Sequence, residues 1–119
     1  MSDLQPKPYK IKLGGEEFGL LFSINVIDEI QDHFDIPISQ LTDVLKDPRT
    51  IFKNLKYILA LLINEALEDE ESDRARVDEL WVGRKITPGN MKSLTADIMF
   101  AFADGSPKAD EDDPNVESE

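Results

Sequence analysis

The chain holds one histidine, His33, and no cysteine. A catalytic histidine works with a nucleophile or an orienting partner in hydrogen-bond reach. His33 lies beside Phe34 among acids, and the sequence shows no such partner, so a partly exposed surface side chain at a helix end is expected. Without cysteine there is no disulfide, no thiolate metal site and no thiol nucleophile. Acidic runs raise the question of hard cations, which need several oxygens in a fixed shell. In Asp69-x-Glu71-x-Asp73, however, Arg74 stands where a calcium loop needs glycine, and Leu80 takes the twelfth position. Asp110-x-Asp112 runs straight into Pro114. Neither Gly14-Gly15 nor Gly83-Arg84-Lys85 has the spacing that lets backbone amides cradle a phosphate. Adjacent carboxylates such as Asp28-Glu29 are usual on a solvated helix face. No catalytic, cofactor or metal-binding residue is therefore expected. Trp81 has two readings, a cap on the core or an anchor for a protein partner, since aromatics are enriched at interface hot spots.

The elements that must position these residues belong to a chain of 119 residues, the size of one domain. Thirteen basic against 25 acidic residues give a formal charge of -12. Nucleic-acid binding rests largely on neutralising phosphates, so this balance argues against it and against anionic membrane surfaces. No apolar run approaches the roughly 20 residues that cross a bilayer. The opening Met1-Ser2-Asp3-Leu4-Gln5-Pro6 lacks the basic and apolar regions of a signal peptide.

Residues 1–8 read as a flexible arm. Tyr9, Ile11 and Leu13 alternate with lysines, and Phe18, Leu20 and Phe22 alternate again beyond Gly14-Gly15. This predicts a β-hairpin whose turn uses the positive φ of glycine. Two strands alone are marginal, so the hairpin must pack on helices. Ser23 is a natural N-cap for a helix ending near Phe34, with Ile24, Ile27, Ile30 and Phe34 as its apolar face and Val26 beside it. A short helix using Leu41, Val44 and Leu45 is expected after a cap at Ser39, ended by Asp47-Pro48. The strongest periodicity runs from Thr50 to about Glu70, where Ile51, Phe52, Leu55, Ile58, Leu59, Leu62, Ile63 and Ala66 make a wide buried stripe. Its end, Glu68-Asp69-Glu70-Glu71, opposes the macrodipole and predicts fraying or an early stop. Ser72 to Trp81 is expected to form a short helix closed by Gly83, and Thr87-Pro88 to start a last one carrying Met91, Leu94, Ile98, Met99 and Phe102. The fold class is thus α+β, mostly helical: an N-terminal hairpin packed on a bundle of four to five helices, spanning residues 9–105. Residues 106–119 hold six acids, one lysine and two prolines and predict a disordered acidic tail.

This order of elements, with Tyr9-Lys10-Ile11-Lys12-Leu13-Gly14-Gly15 leading into a helix, then Leu55 to Ala66, then Ile86-Thr87-Pro88-Gly89-Asn90 through Ala101-Phe102-Ala103-Asp104-Gly105 and an acidic tail, resembles the tail assembly chaperones of long-tailed bacteriophages and prophages. The resemblance rests on pattern and element order over residues 9–105. It implies a non-enzymatic protein of the host bacterial cytoplasm, absent from the mature virion. Its partner would be the long, hydrophobic tape measure protein, kept soluble while tail tube subunits are recruited. Two other readings compete: a structural neck or tail-completion subunit, and an acidic mimic of DNA that occupies a nucleic-acid-binding enzyme. The second is weakened because about half of the net charge falls in the tail.

A chaperone must cover apolar surface on its client. Tyr57 and Leu61, four residues apart, share a helix face outside the main stripe and need either intramolecular cover or a partner. With Trp81 and Met99 they form the expected partner-binding set.

Overall fold

The computed structural model describes residues 7–105. Strands β1 (Tyr9–Leu13) and β2 (Glu16–Leu20) pair antiparallel, Tyr9 opposite Leu20 and Leu13 opposite Glu16. Gly14 and Gly15 both take positive φ, 63° and 84°, which is the two-residue turn whose twist suits a hairpin. Five helices follow: α1 (Ile24–Phe34), α2 (Leu41–Val44), α3 (Ile51–Asp69), α4 (Glu79–Lys85) and α5 (Met91–Gly105). A 3-10 turn at Ile38–Gln40 precedes α2. The α+β class, mostly helical with an N-terminal hairpin, is as expected. Of the predicted arm only Lys7 and Pro8 are described, and Pro8 sits half-buried against Gly19. The predicted acidic tail, 106–119, lies outside the described residues.

Helix α3 is the centre. Leu55, Ile58, Leu59, Leu62 and Ile63 have no exposed surface. The hairpin lies on it through β2, and the Leu21 amide donates to the Leu62 carbonyl at 3.3 Å. Gly19 permits that approach: a Cβ there would fall 2.8 Å from Pro8 Cβ and 3.3 Å from Ala66 Cβ. Helices α1 and α4 pack on α3, and α5 runs along β1. The Ser23 hydroxyl accepts from the Val26 amide, capping α1, and donates to the Glu65 carboxylate of α3.

Several local expectations are corrected. Ile24 is 78% exposed, because the buried face of α1 centres on Val26 and Ile30. Counted at about 100° per residue, Ile24 lies roughly 120° from Ile30. Ser39 caps nothing with its side chain; the chain enters α2 through the 3-10 turn after Pro37. The acidic end of α3 does not fray early. Glu71 adopts φ 53°, the Ser72 amide donates to the Leu67 carbonyl and the Glu71 amide to that of Glu68, which is the Schellman arrangement with glutamate where glycine is usual. Arg76 pairs with Glu68 at 3.0 Å and Lys10 with Glu70 at 3.8 Å, offsetting the local charge.

Of the predicted helix over 72–81 only the last three residues are helical: 72–78 form a link without regular structure, and α4 begins at Glu79 with the Asp78 carboxylate accepting from the Trp81 amide. Gly83 lies inside α4 rather than closing it. The link bends at Arg74, and its end is held by a side chain of α3. Asn64 of α3 both donates to the Val77 carbonyl and accepts from its amide, each at 2.8 Å. Thr87 and Asn90 exchange side-chain to backbone hydrogen bonds of 3.1 and 2.7 Å, a capping box that opens the turn into α5.

Candidate functional site

Of the four residues expected to bind a partner, Tyr57 and Leu61 lie one turn apart on α3, Trp81 is on α4 and Met99 on α5. Tyr57 is half-buried and stacks on His33, ring centres 3.8 Å apart and planes at 13°, with Phe34 edge-on at 5.7 Å. His33 is itself exposed. Burial, together with Glu29, Glu79 and Asp32, pushes the Tyr57 phenol above its ordinary value, so the ring meets α1 as a neutral group. Leu61 and Met99 are half-buried against the core. Trp81 meets Phe18 edge-on at 5.5 Å, and the Lys85 ammonium lies 5.3 Å from its ring centre. Trp81 is half-buried: it packs against the core and also lines a cleft of about 420 Å³. Arg74 closes one side of that cleft, 4.2 Å over the Phe18 ring, but its guanidinium is already committed to the Glu16 carboxylate and the Glu17 carbonyl.

The apolar side chains that the fold leaves uncovered are others. Among the described residues these are Ile24, Phe52, Leu80 and Phe100; Phe52, 43% exposed, and Leu80, 69% exposed, are the two that line one groove together. Phe52 stands at i, i+7 and i+11 with Leu59 and Ile63, which at about 100° per residue places it in the middle of the buried face of α3. Both of those residues are fully buried. Ile51 in the same turn is buried and Asn54 donates to the Val44 carbonyl, so the turn is covered on that side; Phe52 is left partly exposed between α4 and α5, where two grooves open, and not because it faces away from the core.

Two grooves meet at this ring. One, of about 370 Å³, runs between α3 and α4 past Leu80 and Ile86. The other, of about 520 Å³, runs between the start of α3 and α5, past Leu45, Ile51 and Met91. Four cations, Lys46, Lys56, Arg84 and Lys92, line the two grooves against one carboxylate, Glu79. None of the four pairs with a carboxylate among the described residues. This is an apolar floor with a positive rim on a chain of net charge -12.

Sequence reasoning put Phe52 in the buried stripe and Leu80 on a helix that starts seven residues later than expected, at Glu79 and not Ser72. The phase of Phe52 was legible; the missing cover was not, because cover comes from distant elements. Leu80 lies opposite Val82 once α4 is taken to start after the Asp78 cap, and that cap was the overlooked signal.

Among the described residues no group of three or more His, Asp or Glu side chains is placed to hold a metal ion, and no helix is long and apolar enough to cross a membrane. Comparison with protein-family models, with curated proteins and with solved structures gives no match.

Proposed function

We propose that this protein is a non-enzymatic tail assembly chaperone of a long-tailed phage or prophage. It binds the tape measure protein in the host cytoplasm, keeps it soluble, aids recruitment of tail tube subunits and leaves before the tail is complete. The observation that carries the reading is Phe52: a side chain in phase with the core stripe of α3 is left 43% exposed, with a groove on either side of it. Apolar surface of this kind marks a place where another chain is covered. The acidic remainder supports it, since like-charged complexes repel one another and stay dispersed.

Co-expression with the tape measure protein of the same genome tests the reading. The expected result is a larger soluble fraction of the tape measure protein and its co-purification with the chain. If the tape measure protein stays insoluble and never co-purifies, the reading fails.

A further inference from the structure

We infer that the paired grooves around Phe52 receive an amphipathic helix of the partner whose apolar face is flanked by acidic residues. The inference deepens the chaperone reading and rests on it for the choice of a helical client. The floor asks for an apolar stripe: Phe52 and Leu80 project into solvent, and Ile86 and Met91 are half-buried beside them. A helix laid in a groove supplies such a stripe from residues three and four apart. The rim asks for negative charge, because Lys46, Lys56, Arg84 and Lys92 outnumber Glu79.

The same rim argues against two other occupants. In a two-fold dimer the same patch meets itself, which would set these cations against their own copies. The acidic segment 106–119 of this chain matches the rim in charge, but Ala109 and Val116 are its only aliphatic residues apart from the prolines, too few to fill two grooves.

The test uses the full chain and two labelled synthetic helical peptides with one identical leucine face, flanked by glutamates in one and lysines in the other. Fluorescence anisotropy should show the glutamate-flanked peptide binding roughly tenfold more tightly at low salt, with the gap closing as salt rises. Leu80→Ser should weaken both peptides, and its exposed position leaves the fold intact. Lys56→Glu with Lys92→Glu should weaken the glutamate-flanked peptide alone. Equal binding of the two peptides, binding of neither, or full binding by Leu80→Ser overturns the inference. So does a dimer of the wild type that Leu80→Ser dissociates, or a gain in peptide affinity on removing residues 106–119, since each assigns the groove to another occupant. Discrimination between the peptides without co-purification of the tape measure protein sinks the chaperone reading and keeps the groove. Co-purification undiminished by Leu80→Ser does the reverse.

Discussion

Asn64 reaches from the middle of α3 to the link before α4 and takes both backbone groups of Val77 at 2.8 Å. An amide is the one uncharged side chain type that can donate and accept in this way, as a neighbouring strand would. Asn64→Ala should cost about 2 kcal/mol, from two neutral hydrogen bonds worth about 1 kcal/mol each. Urea denaturation measures the loss, and hydrogen exchange should show the Val77 amide losing its protection while the amides of β1 and β2 keep theirs. At Asp97, burial raises the carboxyl above its ordinary range and a hydrogen bond with Tyr9 draws it partly back. An acid with a raised folded pKa binds its proton more tightly in the native state than in the unfolded one. Its contribution therefore falls as pH rises through the window above about pH 4 and stays lost at neutrality. Asp97→Asn keeps an acceptor for Tyr9 and should raise the melting temperature at pH 7. The gain over wild type should vanish when both are melted below about pH 3, and a gain that persists there would place its origin elsewhere.

At the scale of elements, α3 carries the fold. Leu59 is fully buried, and Leu59→Asp should cost about 3–5 kcal/mol through lost core and an unpaired buried charge. Near-native thermal stability of that variant would contradict the central place of α3. The end of the same helix can be improved. Glu71 holds a left-handed backbone that costs a residue with a side chain about 1–2 kcal/mol. Glu71→Gly removes that strain and one of four consecutive acids, so it should stabilise by about 1 kcal/mol, read as a shift in urea midpoint with the slope unchanged. These elements were unequally legible in the sequence. The hairpin was plain because alternation and the Gly14-Gly15 turn are both local signals. The stripe of α3 was plain because its period is sustained over five turns. The stretch 72–78 misled because what holds it is remote: Asn64 on one side, and the Arg74 guanidinium on the Glu16 carboxylate and Glu17 carbonyl on the other. The grooves were half legible, since phase reveals which face is apolar but not how far its cover extends.

For the whole molecule, charge sets behaviour in bulk. A sequence pI of about 4.4 with a net charge of -12 at neutrality keeps molecules apart at pH 7. Light scattering should rise to a maximum near the pI, where repulsion disappears, and monotonic behaviour through that range would show that apolar contacts rather than charge govern association. The packing of the hairpin on α3 has a consequence in time. A hairpin closes in microseconds once its residues are free, but Ser23 must wait for Glu65, 42 residues on, before the two can bond. At about 5–20 residues per second, synthesis leaves Phe18, Leu20 and Phe22 without their helical backing for roughly 2–8 s. The hairpin thus leaves the ribosome before the helix that buries its apolar side.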